Sequence, residues 1–283
     1  MKKIIITGDD FGLALPVNEA IAEAHQKGIL TAASLMVGES SFADAVERAR
    51  QRSTLRVGLH LTLVEGRCVS PPDRIPDLVD AGGSFSTHLV RAGFNYFFNP
   101  RIRKQLETEI RAQFEAFYKT GLAMDHVNAH NHMHLHPTIL KLILKVGRDY
   151  GLRAVRLPNE PPIRSWRASK KSLGSGVASW LFLSPWMNLM KHTLRHAHVR
   201  YNDFFFGMTD SGAMTLDLVH RFIANLPTGV TEFCFHPATR RCTEIDNTMP
   251  DYRHEEEFRV LTSESLLRMT QSADIQRISF SDL

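Results

Sequence analysis

The feature that most constrains this chain is an alternation. Short apolar runs are followed by helical patterns for most of its 283 residues. Lys2–Thr7, Thr31–Val37, Leu55–Leu63, Met124–Ala129, Arg153–Leu157, Asp203–Phe206, Thr231–Phe235 and Arg277–Phe280 read as strands. Pro16 to about Lys27, Ser41–Arg50, Pro100–Tyr118, Pro137–Tyr150, Leu216–Asn225 and Glu255–Met269 read as helices. Pro16 and Pro137 suit a first turn, and Gly28 suits a stop. Strands alternating with helices imply parallel strands and an α/β fold. About seven such units favour a barrel, complete or distorted, over an open sheet. In either, ligands sit at the carboxyl ends of the strands. A residue that carries chemistry is therefore expected directly after a strand.

Composition narrows the class. Apolar residues make up 43% and charged residues 23%, which excludes a disordered tail, a collagen-like fibre and a coiled coil. One large domain over residues 1–283 can bury a sizeable core. The net charge of +4 permits an acidic partner or an anionic membrane surface without demanding either. No nucleic-acid partner is expected. Cys68, Cys234 and Cys242 are too scattered for a disulfide framework or a zinc ribbon. The Ile4–Ile6 run is far shorter than a signal-peptide core. Nothing reaches the roughly 20 apolar residues of a membrane span. The expected location is the cytoplasm or the inner membrane face.

Four polar clusters fall at strand ends. Thr7-Gly8-Asp9-Asp10-Phe11-Gly12 follows the first strand. Adjacent carboxylates repel and want a cation, although an Asp-rich turn is the commoner explanation of such a pair. Gly58-Leu59-His60-Leu61-Thr62 ends the third strand, where a lone histidine among apolar residues is more often a core residue than a ligand. Five histidines (126, 130, 132, 134 and 136) lie within the run 126–137. In an extended segment their even spacing would put them on one face. Glu232-Phe233-Cys234-Phe235-His236-Pro237 ends a later strand. Taken together, the clusters describe one rim carrying Asp and His. Asp-His-His ligation leaves open positions on a metal, and a metal-held water beside a free carboxylate is a hydrolase design.

These motifs resemble the YdjC-like carbohydrate deacetylases, over nearly the whole chain. Gly8-Asp9-Asp10-Phe11-Gly12-Leu13, Asp125-His126-Val127-Asn128-Ala129-His130, His132–Pro137 and Arg153–Pro158 are closest to the hopanoid biosynthesis-associated branch. Asn202-Asp203-Phe-Phe-Phe-Gly and Ser211-Gly-Ala-Met also fit. The resemblance implies a distorted (β/α) barrel, one divalent metal ion and hydrolysis of an N-acetyl group on a sugar. It assigns the metal to Asp10, His60 and His130, the base to Asp9 and the acid to His236. His132 and His134 would stand behind the ligands. The implied substrate is an N-acetylglucosaminyl hopanoid, and barrels of this sort commonly pair as homodimers. Nitrogen-rich ligation leans towards zinc, manganese or iron, while magnesium is often described for the family, so Mg2+ and Zn2+ both stay open. A soluble chitin-type oligosaccharide, or a binding protein with a vestigial site, are the competing readings.

Residues 163–200 interrupt the β/α rhythm and read as an apolar helical insertion. Within it, Val177–Met190 carries Trp180 and Trp186, with Pro185 expected to break the helix and basic residues on either side. Such a stretch suits an interfacial segment, a lid over a lipid-like substrate, or a plain core helix. Trp180, Trp186 and Arg156 are the expected substrate contacts. Whether Asp73 or Glu65 also touches the sugar stays open.

Overall fold

The computed structural model describes residues 1–170, 173–272 and 274–283. Among the described residues the strands are β1 (Lys2–Phe11), β2 (Ala32–Leu35), β3 (Arg56–Leu61), β4 (Met124–Ala129), β5 (Phe204–Phe206), β6 (Gly229–Phe235) and β7 (Ile275–Arg277). They form one sheet in the order β4-β3-β2-β1-β6-β5, with β7 also pairing β1. Every pairing is parallel. The sheet curls into a half-barrel with helices around it. Its central strands are buried on both faces, which is why Ile4-Ile5-Ile6 reads as a continuous apolar run rather than an alternation.

The helices are α1 (Leu15–Lys27), α2 (Phe42–Arg50), α3 (Leu89–Phe98), α4 (Pro100–Lys119), α5 (Pro137–Gly147), α6 (Pro162–Ser169), α7 (Leu173–His196), α8 (Leu216–Ala224), α9 (Thr243–Thr248), α10 (His254–Leu261) and α11 (Glu264–Thr270). Asn99 caps α4, its side chain accepting from the Arg101 and Ile102 amides at 2.9 and 3.3 Å. In α4 the buried set Ile102, Leu106, Ile110, Phe114 and Phe117 repeats at helical spacing and faces the core.

Several expectations are corrected. Arg153–Leu157 is no strand; it makes only isolated parallel bridges, Val127 to Val155 and Ala154 to Arg200. Those bridges tie it to β4 on one side and to Arg200, ahead of β5, on the other. The helix expected over Glu255–Met269 breaks between Leu261 and Glu264. Helix α3 lies between the third strand and the Pro100–Tyr118 helix, where no element is expected from sequence. Its apolar residues are largely exposed, so they follow no inward-facing pattern. Pro185 does not break α7. Proline cannot donate to the Leu181 carbonyl four residues back, and Ser184 Oγ donates to that carbonyl instead, at 3.2 Å. Helices α6 and α7 occupy the span read as an insertion. No helix among the described residues is long and apolar enough to cross a membrane.

Candidate active site

The site begins with an irregularity at the end of β1. Thr7 and Gly8 pair with Ala32 and Ala33, but Phe11 pairs with Leu35. Two residues, Asp9 and Asp10, therefore stand against the single Ser34, and Asp10 takes φ 63°. In a regular strand neighbouring side chains point to opposite faces. The bulge suspends that rule and delivers adjacent carboxylates to two adjoining clusters at the carboxyl end of the sheet. Gly12 follows at φ +99°, where a Cβ would stand 2.7 Å from the Met36 carbonyl.

The first cluster is Asp10, His60 and His130, whose candidate ligand atoms lie within 4.8 Å of one another. Asp10 Oδ1 is 3.3 Å from His60 Nε2 and 3.2 Å from His130 Nδ1. Both Asp10 oxygens and His60 Nε2 are buried without a hydrogen-bond partner. A buried carboxylate left unsatisfied between two imidazoles is costly unless something else binds it. The donor set, one oxygen and two nitrogens with room for further ligands, fits a divalent metal. Burial would raise the Asp10 carboxyl, but His130 and His60 hold it far below the usual carboxylate range.

A supporting layer orients these groups. The Asn128 amide lies 2.6 Å from His60 Nδ1 and 2.9 Å from Ser34 Oγ. Two orientations of the amide fit: with its oxygen on His60, or turned over so that the oxygen accepts from Arg156. A ligand role for His60 Nε2 requires the first, because Nδ1 then carries the proton and needs an acceptor. Glu65, at φ 50°, accepts from Asn131 at 2.6 Å and stands 3.9 Å from His130 Nε2.

Asp9 belongs to the second cluster, with Cys234 and His236. Arg156 grips it with two bonds of 2.5 and 2.9 Å, and Cys234 Sγ donates to it at 3.1 Å. The same guanidinium donates twice to Glu232, at 2.9 and 2.7 Å. Thr7 Oγ1 donates to Glu232 as well, at 2.8 Å. Burial would raise the Asp9 carboxyl; Arg156, helped by His60 and His236, outweighs it and holds the group well below the usual range. Asp9 is therefore an anion at neutral pH. Desolvation lowers His236, so its half-buried ring is neutral at rest. Its Nδ1 has no partner, and its ring centroid is 5.2 Å from that of Tyr252. Glu257 accepts from the His236 amide at 2.6 Å and from Met214 N at 3.1 Å, and burial pushes its carboxyl up to about 7.

The histidine run does not share one face. Only its start is extended; Asn131 and His132 turn at φ 52° and 53°, and a short 3-10 segment follows. His126 is a core residue. Its ring bonds Asp125 and Ser34 at 2.9 and 3.1 Å and stacks on Phe280. His134 Nδ1 accepts from the Ala129 amide at 3.0 Å, so it props the turn that carries His130. His132 stands beside His134 and Phe205, and burial drives its pKa down to about 3. His136 reaches Gly93 O at 3.0 Å.

Arg156, expected at the sugar, is instead fully buried with its guanidinium shared between Asp9 and Glu232. Asp73 is exposed on the Pro72–Arg74 turn. The side chain of Trp180 lies outside the described residues. Trp186 lines an apolar groove of about 570 Å³ with Phe94, Phe97, His132, His136 and Phe182. Glu232, Asn128 and Cys234 were not singled out from sequence. A signal existed for the first, because a glutamate inside a buried apolar strand demands a partner of opposite charge.

Comparison with known proteins places the chain in a family and a fold. A carbohydrate deacetylase of Brevibacillus brevis is 30% identical over 99% of both chains. One of Vibrio cholerae is 27% identical over 99% of this chain and 96% of its own. The solved structure of a proposed cellobiose-phosphate cleavage protein of Enterococcus faecalis superposes with a TM-score of 0.76 at 24% identity, covering 99% of this chain and 98% of that one. A lactam utilization protein of Thermus thermophilus shares the fold more loosely, at a TM-score of 0.51 and 13% identity over 97% of this chain and 98% of its own. The family model described as YdjC-like protein matches residues 3–272, and the chain belongs to that family.

Proposed function

We propose that this chain hydrolyses the N-acetyl group of an acetylated amino sugar with the help of one divalent metal ion. That it is a carbohydrate deacetylase follows from its family and from full-length relatives bearing that name. One observation carries the metal: the unsatisfied Asp10 carboxylate between His60 and His130. These three residues would hold the ion, with either Mg2+ or Zn2+ acceptable to the donors. When bound, it lowers the pKa of water and stabilises negative charge developing on the acetyl oxygen.

The chain's own residues supply the proton traffic. Asp9, kept ionised and aimed by Arg156, takes a proton from the attacking water. His236, neutral at rest and in the same cluster as Asp9, relays that proton to the departing nitrogen. The carbonyl carbon gains a bond to oxygen and loses its bond to nitrogen, releasing acetate and a free amine. Asn128 holds the tautomer of His60, and His134 holds the turn behind His130.

For the substrate, the motif resemblance favours an N-acetylglucosaminyl hopanoid. The apolar groove beside His132 supports a lipid-linked sugar over a soluble one. Acetate release from that lipid and from diacetylchitobiose, each with metal and after chelation, tests the reading. Metal-dependent release from the lipid alone is expected. Release from chitobiose alone would discard the lipid. No release from either, with metal bound, would favour the binding-protein reading.

A further inference from the structure

Two helices at the mouth of the groove leave large apolar side chains in solvent. On α3, Val90, Phe94 and Phe98 are 89%, 65% and 60% exposed. On α7, Leu181 and Phe182 are 59% and 75% exposed. Both helices line the one groove, and His136 ties the Gly93 carbonyl of α3 to the histidine turn. Scattered exposed apolar residues need no explanation, but an aromatic patch shared by two adjacent helices does.

The two stretches that carry the patch have charge of one sign. Residues 81–106, which contain α3, hold Arg91, Arg101, Arg103 and Lys104 and no Asp or Glu. Residues 161–202, which contain α6 and α7, hold seven Lys or Arg and again no acid. Arg101 is paired with Asp77 across the neighbouring loop. The rest of the chain is acidic on balance, so the cations are concentrated in these two stretches.

We propose that the α3–α7 face docks on an anionic lipid bilayer, its aromatic side chains among the headgroups and the flanking cations against lipid phosphates. Phe and Trp beside Lys and Arg are the composition of an interfacial surface. An anionic leaflet supplies the opposing charge. A second copy does not, because a twofold contact would set these two acid-free stretches against themselves. Docking in this way would open the groove, with His132 in its wall, towards the lipid.

Flotation of the full chain with vesicles tests this. Phosphatidylcholine vesicles are compared with vesicles containing about 30 mol% phosphatidylglycerol, at about 0.05 M and about 0.5 M salt. Binding to the anionic vesicles is expected, weakened about tenfold or more at the higher salt. A Phe94→Ser/Phe182→Ser double variant should lose about tenfold in vesicle affinity at an unchanged melting temperature, since both side chains are exposed. Arg91→Glu should weaken binding to the anionic vesicles only. Failure of the wild type to bind at low salt would overturn the proposal, as would equal binding by the double variant. So would a dimer, seen by light scattering, that the double variant dissolves. Vesicle binding needs no acetylated sugar, so this proposal and the deacetylase reading succeed or fail separately.

Discussion

Replacing Arg156 with methionine tests the electrostatic foundation of the site. Arg156 is fully buried and makes hydrogen bonds to two carboxylates that are themselves buried, Asp9 and Glu232. Methionine fills much of the volume but leaves both carboxylates without the guanidinium. Removing one partner of a buried ion pair costs about 3–5 kcal/mol. For a chain of this length that corresponds to a fall in melting temperature of roughly 5–10 °C. The pH dependence should reverse as well. In the wild type Asp9 sits below its unfolded pKa; its contribution is present above the unfolded value and lost as pH falls through the folded one. Without Arg156, burial becomes the ruling influence and lifts the carboxyl. The variant should therefore recover stability as the pH drops from about 8 to about 5. Thermal melts by circular dichroism across that range are the assay. A variant melting within about 2 °C of wild type at pH 7 would refute the argument. So would a deficit of constant size at every pH.

Asp9→Asn should keep metal affinity but lose about 10²–10⁴-fold in turnover, whereas His60→Ala should lose the metal itself, with calorimetric metal titration separating the two. Glu257→Gln should flatten the pH dependence of stability. The folded carboxyl titrates near 7 against a usual 4.5, so the wild type is most stable below the lower value and loses up to about 3 kcal/mol as pH rises through the upper one; parallel wild-type and variant curves in denaturant titrations would contradict this. Gly58→Ala should destabilise by about 1–3 kcal/mol, because a Cβ there would lie 2.5 Å from the His126 ring and carbonyl; unchanged denaturant midpoints would show that His126 can move aside.

Much of the frame was legible in the chain. Buried parallel strands must be apolar on both faces, so β1 and β3 announce themselves as apolar runs, and proline marks the first turns of α1 and α5. The polar motifs at strand ends pointed to one rim because a parallel sheet has one carboxyl end. Helix α3 was not legible. Most of its apolar residues face solvent and only Ala92 and Tyr96 are buried, too few to make the stripe that marks a core helix. Arg153–Leu157 has the composition of a strand, yet pairing depends on which neighbours arrive, and here they supply only single bridges.

By itself, the sequence determined the α/β alternation, the parallel sheet and the set of Asp and His residues brought to its carboxyl end. Local patterns encode these, since strand burial, turn chemistry and motif spacing are written in adjacent residues. Only the tertiary structure decided their division of labour. Asp9 and Asp10 are neighbours in sequence, yet a bulge sends one to Arg156 and the other to His60 and His130. His126 and His130 lie four residues apart in the same motif, but one supports the core and the other stands beside Asp10. The physical reason is that a charge or an imidazole takes its role from what surrounds it, and those surroundings come from strands and turns far apart in the chain.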